Sequence, residues 1–414
     1  MARLFSLDFG LLRRNVFFRR LFLARMMSVF SLGVLNVAVP VQIHTLTGAS
    51  FPVSLALALD GLGTFLGLLT GGVTADRYDR RRLILSARFL CGIGFLVLTL
   101  NAFLAHPVLL LIYAVAFWDG FFGGISMTAL MAAFPSLVEE KDLAVAGALS
   151  MLTTRIGAIL APLVGGLLIA TQGVAANYLL AGIGTISAVI PLFSLPVLRP
   201  DPAMSDMASA HPIKALGDGM KFLVTHPVIA GVILIGTVQT MCSAIRVVFP
   251  GLAEGLKAGP TAIGAMYAAV PAGAMLGALC GSSFANGATP IRVLITAAAL
   301  CCLVVSSLGM LPHTALLLPA LLVVGVASSI TALLQFTTVQ RQTPDHMRGR
   351  VSAVWSMQDV VSDSVGTVAL GALVALSGLL HALVIFGGTL TVILLGITIW
   401  MRKPTFRIFS VEPK

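Results

Sequence analysis

Long apolar runs, separated by short polar turns, occupy most of the 414-residue chain. Twelve of these runs are long enough to cross about 30 Å of hydrocarbon as a helix. Helices are required because the bilayer interior cannot satisfy an open backbone. The pattern therefore predicts an all-α integral membrane protein whose spans are 20–43, 52–75, 83–104, 108–134, 143–170, 175–197, 226–251, 260–285, 290–311, 314–339, 350–376 and 380–401.

The longest polar stretch between two spans, residues 198–225, separates six spans from six. We therefore predict three regions along the chain. An N-terminal six-helix bundle covers 1–198, and a cytoplasmic linker covers 199–225. A C-terminal six-helix bundle with its tail covers 226–414.

The two halves also repeat each other in sequence. A shift of about 210 residues places Gly67 on Gly277, Gly71 on Gly281, and Arg82 on Arg292. Parallel repeats of six helices are typical of transporters whose site lies near the bilayer midplane at the repeat interface. A receptor or a structural membrane protein has no need of such a repeat, so the pattern favours a transporter.

The composition excludes a soluble globular protein, because 58% of the residues are hydrophobic, 10% are charged, and the mean hydropathy is +1.01. A net charge of +10 would suggest nucleic-acid binding in a soluble chain. Here nearly all the Lys and Arg residues fall in alternate loops or at the termini, which places both termini and the linker in the cytoplasm. The expected partners are the lipid bilayer and a small molecule, and not nucleic acid.

Signals of an enzyme or of a metalloprotein are missing from the sequence. The five cysteines lie in apolar runs without metal-ligand spacing, which is typical of buried free thiols. There is no glycine-rich phosphate loop of the ATPase type. We predict a protein that is not an enzyme and that holds neither a metal nor an organic cofactor.

Six charges crowd into residues 76–82, between spans 2 and 3, in the pattern Gly72-x-x-x-Asp76-Arg77-x-x-Arg80-Arg81. This spacing resembles the signature loop of the major facilitator superfamily. The resemblance implies a conformational latch, in which Gly72 permits close helix approach and Asp76 pairs with the arginines near a helix end. The alternative is a plain loop that follows the positive-inside rule.

Span 5 contains the pattern Gly157-x-x-x-Ala161-Pro162-x-x-Gly165-Gly166. It resembles the antiporter motif of exporters in the same superfamily, with Ala161 where glycine is usual. Small residues let helices pack closely, and the proline interrupts the backbone ladder. The alternative is ordinary packing through small residues.

Charged residues inside the spans are candidate functional groups because charge is costly in lipid. Asp119 in span 4 and Arg155 in span 5 both lie about 17–18 Å from a helix end, near the midplane. We therefore expect an Asp119–Arg155 ion pair. This pair would either hold two spans together statically or belong to the working site.

Asp359 and Asp363 lie four residues apart on span 11 and hence on one helix face. Two carboxylates at that spacing in low dielectric do not both ionise easily, which suits a proton carrier. The alternative is that both face a water-filled cavity and stay ionised. Together with Asp119, these two acids are the proton-coupling candidates.

Three further residues are candidates for a substrate cavity together with Arg155. Arg246, toward one end of span 7, either extends outward to the interface or holds an anionic ligand. Trp118 adjoins Asp119, and Trp355 precedes Asp359 by one turn, so both suit an aromatic ligand, although core packing is the commoner fate. Asp60 in span 2 ranks below the other acids.

Longer strings narrow the resemblance, among them Phe22-Leu23-Ala24-Arg25, Gly92-Ile93-Gly94-Phe95 and Trp118-Asp119-Gly120-Phe121-Phe122. They resemble the catecholate-siderophore exporters of enteric bacteria, the enterobactin exporters, over nearly all twelve spans. The resemblance implies an inner-membrane protein that moves an enterobactin-like siderophore from cytoplasm to periplasm by alternating access. It also implies that protons drive the export by antiport. We also expect the protein to be a monomer.

Other functions stay open at this stage. A broad-specificity exporter of drugs or macrolides would have the same architecture. A membrane sensor that transports nothing is a different class, but it would need neither the repeat nor the buried charges. An importer is a further alternative, because a fold does not set the direction of transport.

Overall fold

The computed structural model describes residues 10–198, 212–285, 290–311 and 313–401. Within these residues, twelve helices are long and apolar enough to span a membrane, which confirms the predicted fold class. We number the main α-helix of each span α1 Val16–Thr47, α2 Ser50–Ala75, α3 Arg80–Ala102, α4 Leu109–Leu137, α5 Leu143–Gln172, α6 Val174–Ser187, α7 Pro227–Met241, α8 Pro260–Ala285, α9 Pro290–Ser307, α10 Thr314–Gln342, α11 Arg348–Ser377 and α12 Leu379–Met401. The sixth and seventh spans continue beyond α6 and α7, to Leu192 and Gly255.

Shorter elements flank or extend these helices. The short α-helices are Gly10–Arg14, Val189–Leu192, Pro212–Thr225 and Phe249–Gly255. The 3₁₀ segments are Glu140–Asp142, Cys242–Val248, Leu308–Met310 and Asp345–Met347. Two of these elements, in the seventh span and in the predicted linker, depart from the sequence-based prediction.

The seventh span is not the continuous helix that the sequence predicts. After α7 ends at Met241, a 3₁₀ segment runs over Cys242–Val248, and an α-helix resumes over Phe249–Gly255. Pro250 accounts for the interruption, because it has no N–H to donate to the carbonyl four residues earlier and restricts the residue before it. Seven residues of 3₁₀ helix exceed the usual length, and such a stretch inside a span often marks a functional element.

The second part of the predicted linker forms a helix, Pro212–Thr225, that packs against α11. Asp218 forms an ion pair with Arg350 at 3.2 Å. A Cβ added to Gly219 would lie 2.8 Å from the Arg350 carbonyl oxygen, so the two backbones are close. The remainder of the predicted linker, 199–211, lies outside the described residues.

The contacts between residues divide the chain into two compact units. The first comprises residues 1–46 and 59–209, and the second comprises 47–58 and 210–414. The first part of α2 thus belongs with the second unit. A close contact shows this, because a Cβ added to Gly371 of α11 would lie 2.1 Å from the Ser54 hydroxyl.

A hydrophobic cluster holds five helices of the first unit together at the turn between α2 and α3. It includes Phe18 of α1, Ala75 of α2, Ile84 of α3, Leu137 of α4 and Leu149 of α5, all of them buried. The charge-dense turn therefore rests on a closely packed core and is held at a defined place.

Glycines bring two helices of the first unit into backbone contact. A Cβ added to Gly67 of α2 would lie 2.1 Å from the Phe121 carbonyl oxygen of α4. In the reverse direction, a Cβ on Gly120 of α4 would lie 2.0 Å from the Asp60 carbonyl oxygen of α2. Small residues of this kind let transmembrane helices pack closely where lipid provides no hydrophobic driving force.

The second unit repeats this contact between α8 and α10. A Cβ added to Gly277 of α8 would lie 2.6 Å from the Val326 carbonyl oxygen, and one on Gly325 of α10 would lie 2.0 Å from the Val270 carbonyl oxygen. Gly277 is the residue that the repeat relates to Gly67. The sequence repeat therefore corresponds to the same helix–helix contact in both units.

We expect Gly120→Ala to destabilise the protein by about 1–3 kcal/mol, because the new Cβ would overlap the Asp60 carbonyl oxygen. Gly123 on the same helix is the matched control, since an added Cβ there meets no atom within 4 Å. Gly123→Ala should be neutral or gain up to about 1 kcal/mol of helix propensity. Thermal unfolding of both purified variants in detergent tests this, and equal melting temperatures would contradict the contact.

Candidate transport site

Two carboxylates of α11 face the interrupted seventh span. The Thr240 hydroxyl donates to Asp359 Oδ1 at 3.1 Å, and the Ser243 hydroxyl donates to Asp363. The Arg246 guanidinium forms an ion pair with Asp363. The two acids stand one helical turn apart, as the sequence requires, but they have different partners.

The interruption itself places these partners. α11 approaches the end of α7 closely, because a Cβ on Gly366 would lie only 2.9 Å from the Met241 Cα. The Arg246 carbonyl oxygen, to which Pro250 cannot donate, accepts a hydrogen bond from the Tyr267 hydroxyl of α8 at 2.9 Å. The irregular segment is thus held from both sides, with Ser243 and Arg246 directed at α11.

The ion pair gives Arg246 a partner inside the second unit that neither of the two sequence-based alternatives named. Its guanidinium turns toward α11, and the side chains of Arg246 and Asp363 are 33% and 25% exposed. A pair of this kind compensates both charges, and removing one partner would leave the other charge uncompensated. Arg246 is therefore a counter-ion of Asp363.

The expected ion pair between Asp119 and Arg155 is wrong, since these two described side chains form none. Asp119 lies instead beside α3, where the Cys91 thiol is 3.9 Å from its backbone oxygen. The reason is that α3 packs against α4, the helix that carries Asp119, whereas the Arg155 side chain is exposed.

Two cations of the first unit were not singled out by the sequence analysis. Arg88 lies about 12 Å along α3 from its first residue, and its charge acts on Arg25 of α1. The Arg25 guanidinium donates to the Thr154 hydroxyl of α5 at 3.4 Å. Their depth in the spans was the available signal, because a basic residue more than two turns from a helix end is no longer a loop residue.

The two candidate tryptophans differ in their hydrogen bonding. The Trp118 indole donates to the Leu90 carbonyl oxygen of α3 at 2.9 Å, and its ring lies 4.7 Å from that of Phe122. The Trp355 indole Nε1 is buried and has no hydrogen-bond partner among the described residues. Trp118 therefore joins α3 to α4, whereas Trp355 keeps an unused donor.

Three thiols lie beside the interrupted span in the second unit. Cys242 Sγ is 3.7 Å from Cys302 Sγ, and the Gln239 amide donates to Cys301 Sγ at 3.2 Å and to the Ser328 hydroxyl at 2.7 Å. All five cysteines of the chain are free. Among the described residues, no group of three or more His, Cys, Asp or Glu side chains is arranged to hold a metal ion.

At the charge-dense turn, Arg80 joins two helices of the first unit. Its guanidinium donates to the Ala75 carbonyl oxygen at the end of α2, at 3.2 Å, and to the Ala132 carbonyl oxygen of α4, at 3.0 Å. Arg81 donates to the Phe193 carbonyl oxygen. The Ala75 and Phe193 carbonyls lie at helix ends, where a helix leaves acceptors open, whereas Ala132 lies inside α4.

The acid that organises this turn is Asp79, which the latch pattern does not include. Its carboxylate caps α3 by accepting from the Arg81 backbone N–H at 3.0 Å, and it also accepts from the Leu198 N–H at 3.0 Å. The Arg80 N–H in turn donates to the Leu198 carbonyl oxygen at 3.1 Å. Asp79 therefore fixes both the start of α3 and the segment after α6.

The role that the pattern assigns to Gly72 is wrong, because an added Cβ there would meet no atom within 4 Å. The adjacent Gly71 makes the close approach instead, with an added Cβ 2.9 Å from the Ile125 Cα of α4. The Asp76 side chain makes no hydrogen bond or ion pair with the described residues, and Arg77 is exposed. A latch role for Asp76 and Arg77 remains a prediction.

The small-residue motif of α5 packs against α1. An added Cβ on Gly157 would lie 2.6 Å from Val29 Cγ1, and Gly165 lies close to the Val34 backbone. The departure at Ala161 is compensated across the interface, since its Cβ lies 2.5 Å from the position that a Cβ on Gly33 would occupy. Gly33 of α1 therefore leaves room for the Ala161 side chain of α5, so the two helices stay in close contact.

Comparisons with known proteins agree on the architecture. The sequence pattern of the Major Facilitator Superfamily matches residues 21–367. The chain is 44% identical over 370 residues to the Enterobactin exporter EntS of Shigella boydii serotype 18, which covers 89% of this chain and 88% of the relative, and equally to the Escherichia coli protein of that name. The crystal structure of the nucleoside transporter NupG superposes with a TM-score of 0.73 at 13% identity, over 94% of this chain and 99% of that chain.

Alanine at Asp79 should lower the free energy of unfolding by about 1–2 kcal/mol, because α3 loses its N-cap and the Leu198 N–H loses its acceptor. Asp76→Ala, an identical change in the same turn, should cost less than about 0.5 kcal/mol. Denaturant titration of both variants in mixed micelles gives the comparison. Equal losses would show that Asp76 shares the capping role.

Proposed function

The chain belongs to the Major Facilitator Superfamily, and we propose that it exports a catecholate siderophore of the enterobactin type from the cytoplasm to the periplasm. It is a multi-pass protein of the bacterial inner membrane with twelve spans in its described part. Export proceeds by alternating access, in which the substrate site opens to one side of the membrane at a time.

One observation carries the substrate assignment. The identity of 44% to the Enterobactin exporter EntS extends over 370 residues, and so includes most of the spans of both proteins. A shared fold alone would not support a substrate, because the NupG structure has the same architecture at 13% identity. The length and the level of the match favour the siderophore over a drug or a macrolide.

We assign the energy source to protons that return through the second unit. Asp363 has a guanidinium and a hydroxyl as partners, so its negative charge is compensated. Asp359 has the Thr240 hydroxyl as a donor. Protonation of Asp359 breaks no ion pair, whereas protonation of Asp363 would remove the charge that pairs with Arg246. Asp359 is therefore the acid that takes up and releases the proton.

The first unit supplies the positive charge for an acidic substrate. Arg246 is already the counter-ion of Asp363, which supports Arg155 as the cation that meets the phenolate oxygens of a catechol. The Arg155 side chain is exposed and lies well inside α5. Asp119, which lies beside Cys91 of α3, then serves as a second acid.

The transport assay uses everted vesicles or proteoliposomes in which the lumen corresponds to the periplasm. With an acidic lumen, we expect the vesicles to accumulate the iron-free catecholate siderophore, and to lose it when the proton gradient is collapsed. Vesicles with empty lipid are the control. Accumulation of a macrolide or a cationic dye, without accumulation of the siderophore, would contradict the substrate assignment and favour the drug exporter.

The variant Asp359→Asn tests the proton assignment. We expect it to lose accumulation driven by the proton gradient while it retains counterflow, the exchange of labelled for unlabelled siderophore, because counterflow needs no net proton movement. The comparison is made in the same vesicles at one lumen pH. Undiminished gradient-driven accumulation by Asp359→Asn would remove this residue from coupling.

Asp363→Asn is the matched variant one turn away. It removes the negative charge that pairs with Arg246, so we expect reduced melting temperature together with loss of both accumulation and counterflow. If Asp363→Asn instead behaved as we expect for Asp359→Asn, the two carboxylates would have the opposite division of roles.

A further inference from the structure

One face of α11 carries two polar groups that the site described above leaves unused. Trp355 and Gln358 lie three residues apart and therefore on the same side of the helix, and Asp359 follows on that side. The Trp355 indole Nε1, a donor, and the Gln358 side-chain oxygen, an acceptor, are both buried without a hydrogen-bond partner among the described residues. Buried polar groups in native proteins are nearly always paired, so two adjacent orphans call for an explanation.

The rest of the Gln358 side chain is held in place. Its amide nitrogen donates to the Ser362 hydroxyl, one turn along, at 3.3 Å. That bond directs the amide and leaves the oxygen as the atom without a partner. The acceptor is therefore restrained by this bond, and because it is buried a ligand reaches it only when a neighbouring side chain moves aside.

An aromatic wall stands beside these two groups. The Phe336 ring of α10 lies 5.8 Å from the Trp355 ring, at an interplanar angle of 41°. Phe336 is 46% exposed and lies six residues before the end of α10. An exposed aromatic face next to a free donor and a free acceptor is typical of a pocket for a flat, polar aromatic group.

We propose that Phe336, Trp355 and Gln358 form an aryl subsite of the second unit that binds one catechol-amide ring of the substrate. The proposal rests on the function proposed above and names the groups that recognise that substrate. The ring packs on Phe336 and Trp355, the indole N–H donates to an oxygen of the ring or its amide, and a catechol hydroxyl donates to the Gln358 oxygen. Each unused group gains the partner that it lacks.

The first unit provides a matched comparison for this subsite. Trp118 is also an aromatic residue inside a span and beside an acid, but its indole already donates to the Leu90 carbonyl oxygen. A ligand could use that donor only by breaking the bond between α3 and α4. The Trp355 indole N–H is thus an unused donor, whereas the Trp118 indole N–H is already occupied.

The test measures binding of a soluble dihydroxybenzamide to the full-length protein in detergent by isothermal titration calorimetry. Trp355→Phe keeps the ring but removes the N–H, and we expect its dissociation constant to rise about fivefold, the effect of one neutral hydrogen bond. Trp118→Phe should change that constant by less than about twofold. An unchanged constant for Trp355→Phe, or equal losses in the two variants, would overturn the subsite.

A second variant tests the Gln358 acceptor, and it keeps the proposal testable if Trp355→Phe fails to fold. The wild-type protein should prefer the dihydroxybenzamide to its dimethoxy ether, because the ether has no hydroxyl to donate to Gln358. Gln358→Met should lose that preference. Its elution in size-exclusion chromatography should stay unchanged, which is the control for folding. A dimethoxy ether that binds the wild-type protein equally well, or a quaternary ammonium probe that binds it better, would overturn the proposal.

Transport of the intact siderophore separates this proposal from the proposed function. If the wild-type vesicles accumulate the siderophore and Trp355→Phe does so with an unchanged KM, the subsite is wrong and the function stands. If the wild-type protein neither binds the dihydroxybenzamide nor accumulates the siderophore, both are wrong. A raised KM with an unchanged maximal rate is the expected result.

Discussion

Hydrocarbon offers no hydrogen bonds, so each backbone polar group of a span must find its partner within the protein. Pro250 shows how far this constraint shapes the second unit. It removes the donor four residues on from the Arg246 carbonyl, which accepts instead from the Phe249 N–H in a 3₁₀ bond and from the Tyr267 hydroxyl. The irregular segment that results directs Ser243 and Arg246 at the acids of α11. The interruption of the helix thus places the partners of Asp363.

The same constraint explains why the repeat is preserved in packing but not in charge. Helices in lipid associate through close van der Waals contact, so the glycine contacts of α2 with α4 recur between α8 and α10. The polar residues have diverged. α5 carries Arg155, whereas α11, the equivalent helix, carries Asp359 and Asp363. The shared scaffold therefore carries different charged residues in the two units.

Length and apolar composition were sufficient to predict the twelve spans, because a bilayer sets the length of each helix. They could not predict which way a side chain points around a helix. Gly71 and Gly72 are neighbours in sequence, but they differ by about 100° around α2, and Gly71 is the one that meets α4. Asp119 and Arg155 lie at a similar depth, but Asp119 faces α3 and does not pair with Arg155. The depth of a residue in the membrane can be counted from the sequence, whereas its neighbours depend on how the helices pack.

Charge balance in the second unit constrains the transport cycle. Arg246, Asp359 and Asp363 together carry one net negative charge when both acids are ionised, and this is costly in low dielectric. One proton on either acid makes these three side chains neutral. A catechol ring carries no positive charge and cannot replace that proton. Under the proposed function, the neutral state therefore arises when a proton enters. The acids of α11 then act in the step that returns the empty transporter to the cytoplasmic side. Substrate recognition is left to the polar and aromatic groups around them.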